Sequence, residues 1–188
     1  MRQEIPIYHW QDTDHRAGIA RILDRYATDP RKFVLIGDSI LEYYITSGRC
    51  PLDSYYNLTS PGLTIEQALW LVGNFQPNAD VLVLYAGLCD LWFDNNSPEE
   101  TAHCIQTLVS NWENDKGNQK AIVVPPMVAN YWWKAESVSR LQTLCKDLHT
   151  MNLIDDPAYF ASDLVHWKAE LYKEYTNYLL QRISSLQK

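Results

Sequence analysis

The sequence has no long apolar run and no cluster of Lys and Arg, and each absence excludes a class of partner. No stretch of its 188 residues approaches the roughly 20 apolar residues of a membrane-spanning helix. Binding to a phosphate backbone requires clustered cations, whereas this chain carries a net charge of −7. We therefore expect neither a membrane nor a nucleic acid as a partner. The oligomeric state is left open.

Cysteine is also sparse, and its spacing argues against a metal centre. The four cysteines (Cys50, Cys89, Cys104 and Cys145) include no C-x-x-C pair and no His-rich zinc spacing. We interpret them as free thiols in a reducing compartment and expect no metal and no cofactor. Residues 1–6 are charged and lack an apolar core of signal-peptide length, so we expect a cytoplasmic protein.

What the chain does contain is an alternation of buried strands and amphipathic helices. Its hydrophobic fraction of 46% is typical of a compact domain. The pattern predicts one α/β domain over residues 1–188, a three-layer α/β/α sandwich with a parallel sheet of about five strands. Residues 1–31 are expected to form an N-terminal arm and a helix packed on it. The predicted strands cover residues 32–36, 55–58, 80–86, 121–124 and 152–155. After residue 31, helices are predicted over residues 39–46, 136–150 and 168–186. Two more are predicted to begin at residues 64 and 98.

The chain is organised around residues 33–41, where a continuous apolar strand stops at Gly37-Asp38-Ser39 and a helix begins. Open parallel sheets bind ligands at this carboxyl edge. Free N–H groups at a helix start also stabilise an anion there. Ser39 is therefore a candidate nucleophile, and the alternative is that Ser39 only caps the helix.

Other loops that follow strands carry polar residues beside small ones, namely Ser60-Pro61-Gly62 and Gly87-Leu88-Cys89-Asp90. The Asp163-x-x-His166 segment can reach the same edge. A serine hydroxyl becomes a good nucleophile when a base takes its proton, and a histidine base needs a carboxylate to hold its tautomer. Ser39, His166 and Asp163 supply that set. The alternative for Asp163 and His166 is a surface capping pair.

Four blocks in this order resemble the SGNH hydrolases, the superfamily of GDSL esterases and lipases. The blocks are residues 33–39, 57–64, 87–90 and 162–166. The resemblance implies a flavodoxin-like fold and a serine esterase with Ser39, Asp163 and His166 as the catalytic residues. It also implies that the Ser39 and Gly62 N–H groups bind the oxyanion.

One residue departs from the family pattern, because Cys89 stands where the family has the asparagine of its oxyanion hole. A thiol is a poor hydrogen-bond donor beside an amide. Losing one such donor costs about 2.7–4 kcal/mol in the transition state of a well-studied protease. Either Ser39 and Gly62 suffice, Asn95 or Asn96 replaces the lost donor, or catalysis is slow.

Several aromatic residues fall in or beside loops at the carboxyl edge, and four of them are predicted to contact the substrate: Trp92, Trp132, Trp133 and Trp167. Aromatic rings stack on sugars and line acyl pockets, but they also cover sheet edges as packing residues. No long insertion is available as a lid, which favours a small or carbohydrate-borne acyl group. The alternatives are a lysophospholipase or thioesterase, or a catalytically weak binding module on this fold.

Overall fold

The computed structural model describes residues 31–75, 77–115, 120–148, 151–154 and 156–186. The predicted N-terminal arm and the helix expected to pack on it lie outside these residues.

The described strands form one parallel sheet with the order β2-β1-β3-β4. They are β1 (Arg31–Gly37), β2 (Tyr55–Thr59), β3 (Ala79–Tyr85) and β4 (Lys120–Val124). Gly37 at the end of β1 is in register with Thr59 and Tyr85, and Tyr85 is in register with Val124. All four strands therefore end at one edge, as predicted for the turns that carry the candidate residues.

Helices cover both faces of the sheet. They are α1 (Ser39–Thr46), α2 (Ile65–Phe75), α3 (Leu88–Trp92), α4 (Pro98–Asp115), α5 (Ala135–Leu144) and α6 (Ala169–Leu186). Alternate residues of β1 point into two separate cores. One core holds α2, α3, α4 and α5, and the other holds α1 and α6. The predicted three-layer sandwich is confirmed. None of the described helices is long and apolar enough to cross a membrane.

The predicted fifth strand over residues 152–155 is wrong, because residues 152–154 pair with no strand among the described residues. Met151 is buried, while Leu153 and Ile154 are half-buried beside the core of α1 and α6. This short run is only partly buried and forms no strand ladder with the described strands, and it ends close to Pro157, which has no N–H to donate. The helix predicted over 136–150 is also shorter, since α5 ends at Leu144 and a 3₁₀ turn follows over Lys146–Leu148.

Candidate active site

Ser39 is the first residue of α1 and directly follows the turn after β1. Asp38 caps this helix, because its side chain accepts a hydrogen bond of 2.9 Å from the Ile40 N–H. The alternative that Ser39 serves as the cap is therefore wrong. The Ser39 N–H is one of the first N–H groups of a helix, which have no acceptor within the helix.

Gly37 fixes how closely this turn approaches the neighbouring strand. A Cβ atom at position 37 would lie 2.6 Å from the Tyr85 carbonyl oxygen and 2.9 Å from the Leu41 Cβ. The backbone contact cannot move without separating β1 from β3, so a glycine is required here. The turn that carries Ser39 is consequently held tightly against the sheet edge.

The structure brings Ser39, His166 and Asp163 together in one chain of hydrogen bonds. Ser39 Oγ lies 3.1 Å from His166 Nε2, and His166 Nδ1 lies 2.6 Å from Asp163 Oδ2. Asp163 Oδ1 accepts the N–H groups of Val165 and His166 at 3.0 and 2.9 Å. The carboxylate is thereby fixed in position, with one oxygen left for the imidazole.

Opposing effects act on the pKa of Asp163. Partial burial raises it, but the hydrogen bond from the His166 side chain and those from the Val165 and His166 N–H groups outweigh this effect. The pKa therefore lies below its usual value, because the charged form receives all three hydrogen bonds. Asp163 is held as a carboxylate beside the imidazole.

The loop that carries Asp163 and His166 is braced at several points. Its ends are joined by an antiparallel bridge between Phe160 and Trp167. The Ala161 N–H donates to the His166 carbonyl oxygen at 2.7 Å. Leu164 has a φ of 60°, a backbone conformation that residues other than glycine rarely adopt. Its carbonyl oxygen accepts a hydrogen bond of 2.9 Å from the Ala129 N–H. Such backbone conformations persist where the surrounding structure fixes them, as it does here.

Ser39 and His166 open onto a cavity of about 420 Å³. This volume lies within the range of about 300–1,000 Å³ that is typical of small-molecule sites. The cavity is lined by Ser39, Glu42, Tyr43, Thr46, Ala161, His166, Trp167 and Tyr172. A substrate carbonyl can therefore reach the serine hydroxyl and the imidazole from the same space.

Sequence reasoning did not single out Glu42, Tyr43 and Thr46 as site residues. They follow Ser39 by three, four and seven residues, which is the spacing of one helix face. A helix that begins at Ser39 therefore presents these side chains on the same side as the hydroxyl. That periodicity could have identified them.

The turn after β2 lies beside the turn that carries Ser39. The Ser60 N–H donates to the Gly37 carbonyl at 3.0 Å, and the Leu63 N–H donates to the Ser60 carbonyl at 3.0 Å. Gly62, inside this turn, is buried and has a φ of 77°, which favours glycine. The role of the Gly62 N–H in binding an oxyanion stays a prediction.

Cys89 lies in the first turn of α3, a short helix where the sequence indicated only a turn. The side chain is buried, and its Sγ donates a hydrogen bond of 3.8 Å to Asp38 Oδ2. Burial first, and then the Asp38 charge, raise the pKa of Cys89 well above its usual value, so the group remains a thiol. Of the alternative donors, Asn95 accepts a hydrogen bond from Lys134 Nζ at 3.0 Å through its side-chain oxygen.

Two buried carboxyl groups, Asp38 and Asp90, support these turns. Both Asp90 oxygens lie 3.0 Å from the Ile65 N–H, which ties α3 to the first turn of α2. Burial raises the pKa of each aspartate to about 7. For Asp38, the Ile40 N–H and the nearby His166 act in the opposite direction.

The raised pKa of Asp90 predicts how stability depends on pH. The carboxyl group moves from an ordinary pKa of 3.8 to about 7 on folding, so the folded state holds more protons across this window. Its contribution is complete below about pH 4 and is lost as the pH rises through about 7. Asp90→Asn keeps an oxygen for the Ile65 N–H but does not titrate. We expect urea unfolding at pH 5 and pH 7 to show a smaller fall in the free energy of unfolding for this variant than for wild type.

The matched control is Asp53→Asn, which removes an exposed carboxylate from the surface. It should leave the difference between pH 5 and pH 7 as in wild type. An unchanged pH dependence in Asp90→Asn would show that Asp90 is ionised in the folded protein throughout this range.

The four tryptophans predicted to contact substrate occupy different environments. Trp167 is buried, lines the cavity, and donates its indole N–H to the Met127 carbonyl at 3.4 Å. Trp132 is buried in the core of α4 and α5, and its ring contacts Trp92 at 5.6 Å and Trp133 at 5.4 Å between centroids. Trp92 and Trp133 are exposed, by 39% and 63%. Substrate contact by these residues stays a prediction.

The cysteines form no centre of their own. All four are free thiols, with Cys89 and Cys145 buried and Cys50 and Cys104 half-buried. Within the part of the chain that the structure describes, no group of three or more His, Cys, Asp or Glu side chains could hold a metal ion.

Comparison with known proteins identifies the fold. No family model and no curated protein sequence matches the chain. It is similar to the solved structure of a GDSL-like lipase from Bacteroides thetaiotaomicron, with a TM-score of 0.62, 17% identity, and coverage of 92% of this chain and 98% of that one. It is also similar to a lipase/acylhydrolase from Enterococcus faecalis, with a TM-score of 0.60, 18% identity, and coverage of 82% of this chain and 96% of that one. A third similar structure is an acetylxylan esterase from Geobacillus stearothermophilus, with a TM-score of 0.60, 14% identity, and coverage of 84% of this chain and 96% of that one. The chain has the SGNH hydrolase fold.

Proposed function

We propose that this protein is a serine esterase that hydrolyses an ester of a small or carbohydrate-borne acyl group. The observation that carries the proposal is the hydrogen-bonded chain from Ser39 Oγ through His166 to Asp163. The similar structures support the reaction class, since their names describe lipases, an acylhydrolase and an acetylxylan esterase.

The first half of the reaction transfers the acyl group to the protein. His166 Nε2 takes the proton of Ser39 while Oγ forms a bond to the ester carbonyl carbon. Asp163 accepts the Nδ1–H, which holds the required tautomer and stabilises the imidazolium. The N–H groups of Ser39 and Gly62 stabilise the negative oxygen of the tetrahedral intermediate. His166 then gives its proton to the alcohol oxygen as the bond from that oxygen to the carbonyl carbon breaks.

The second half releases the acyl group to water. His166 takes a proton from a water molecule, which attacks the carbonyl carbon of the acyl-serine. The bond to Ser39 Oγ breaks as His166 returns the proton to that oxygen. The products are a carboxylic acid and the alcohol, and no cofactor is required.

Labelling with a fluorophosphonate tests the assignment of the nucleophile. The probe forms a stable bond with an activated serine, so we expect the intact mass of the wild-type protein to increase by one adduct. Ser39→Ala should give no adduct. Ser139→Ala, which removes an exposed hydroxyl from α5, should be labelled like wild type. An adduct that persists in Ser39→Ala would overturn the proposal.

A further inference from the structure

The Glu42 carboxylate lies in the wall of the cavity. Glu42 lies on α1, one helical turn after Ser39, and is half-buried. Its carboxylate makes no hydrogen bond and no ion pair with any residue that the structure describes. Partial burial raises the pKa of Glu42. Such a group is free to accept hydrogen bonds from a ligand.

Aromatic rings form the rest of the wall around Glu42. The Tyr172 ring centroid lies 5.6 Å from that of Tyr43 and 5.3 Å from that of Trp167, and all three rings line the cavity. Aromatic faces bind the C–H surface of a ring or chain, whereas a carboxylate accepts hydroxyl groups. The combination suits a compound that has an apolar face and a hydroxyl-bearing edge.

The charge of the cavity disfavours anionic groups. No Lys or Arg is among its described lining residues, and Glu42 contributes a negative charge. The Arg49 guanidinium lies over the rings of Tyr43 and Tyr172, at 5.5 and 5.6 Å, without lining the cavity. A phosphate group in this space would be repelled by Glu42 and would find no cation among the described lining residues to bind it.

The proposed mechanism indicates which part of the ester occupies the cavity. His166 must deliver its proton to the alcohol oxygen, so the alcohol lies on the side of Ser39 where His166 lies. His166 and the adjoining Trp167 line the same cavity as Glu42. The cavity therefore receives the alcohol portion of the substrate.

We propose that Glu42 is a substrate-binding residue that selects esters of uncharged, hydroxyl-rich alcohols such as sugars and disfavours phosphate-bearing alcohols. The inference rests on the proposed esterase function and deepens it. It favours a sugar ester over a lysophospholipid or an acyl-coenzyme A thioester, because both of those carry phosphate.

The experiment compares two substrates, a mono-O-acetylated methyl glucoside and the same compound carrying a phosphate. The variants are Glu42→Gln and Glu42→Ala, with Glu174→Gln on the exposed side of α6 as the matched control. Hydrogen bonds to charged groups are stronger than those to neutral groups, so Glu42→Gln should lower kcat/KM for the uncharged ester about fivefold and Glu42→Ala by more than that. Both should raise kcat/KM for the phosphorylated ester, and Glu174→Gln should change neither.

Opposite changes for the two substrates are not expected from a structural role. Glu42 also lies in the first turn of α1, where its charge stabilises the helix, so melting temperatures are measured for every variant. An equal fall for both substrates with a lower melting temperature would overturn the inference. Unchanged selectivity in Glu42→Gln would do the same.

A binding measurement separates this inference from the proposed function. In a Ser39→Ala background, calorimetry measures the Kd of the uncharged acetylated glucoside without turnover. Adding Glu42→Gln should weaken that Kd about fivefold. If wild type hydrolyses no ester but this difference is found, the esterase proposal fails and the Glu42 site stands. If esters are hydrolysed but the Kd is unchanged, the Glu42 inference fails alone.

Discussion

Replacement of His166 by alanine is expected to lower kcat for a short-chain ester by as much as about 10⁶-fold, the loss seen when the base of a serine-protease triad is removed. His166 Nε2 is the group within 3.1 Å of Ser39 Oγ that can take its proton. The side chain of His166 is 47% exposed, so its loss should leave the fold intact. Steady-state kinetics with p-nitrophenyl acetate and a melting curve would measure both effects.

Asp163→Asn should lower kcat by a smaller factor than His166→Ala. An asparagine can still accept the Val165 and His166 N–H groups, but its amide no longer secures the imidazole tautomer that leaves Nε2 free. In the triad of a serine protease with an unrelated fold this change lowers kcat about 10⁴-fold. The double variant should be little worse than His166→Ala, because the two residues act as a unit.

The matched control is His103→Ala, at an exposed position of α4. It should keep wild-type kinetics. Substantial turnover in folded His166→Ala would place the base elsewhere and contradict the proposed mechanism.

The features predicted well from the sequence are those encoded by short local patterns. The run that ends at Gly37 is apolar and is followed by helical spacing, so the strand, the turn and the start of α1 could each be predicted. Asp163 and His166 lie three residues apart in one loop, and a carboxylate and an imidazole at that spacing can meet directly. The parallel register then brings the end of β1 level with the ends of its neighbours.

Features that depend on contacts distant in sequence could not be predicted. Trp132 and Trp133 are adjacent and chemically identical, yet only Trp132 is buried between elements of the core. The apolar residues near 152–154 pack against the core of α1 and α6 without pairing with a described strand. The direction of the Cys89 thiol depends on Asp38, which lies in a different turn. In each case, tertiary packing determines the outcome and the local pattern does not.

Cys89→Asn is expected to raise kcat, with an upper bound of about 10²–10³-fold, the effect of one oxyanion donor. The thiol is a weak donor and is already directed at Asp38 Oδ2. An amide has two N–H donors, so one can keep the contact with Asp38 while the other is available to the oxyanion. The gain should lie well below the bound, because the surrounding site packs around a thiol. It should appear in kcat more than in KM, since the oxyanion exists only in the transition state and intermediate.

Cys89→Ser and Cys89→Ala separate the two roles of this position. A serine hydroxyl has one donor, which suffices for Asp38 alone, so Cys89→Ser should not raise kcat. Alanine removes the contact with Asp38 and should lower stability, because a buried carboxyl group loses a hydrogen-bond donor. A gain in Cys89→Ser equal to that in Cys89→Asn would assign the effect to Asp38 and the turn it caps. If asparagine lowers kcat in a folded protein while alanine leaves it unchanged, Cys89 is not an impaired donor site, and the Ser39 and Gly62 N–H groups or another donor must complete the oxyanion hole.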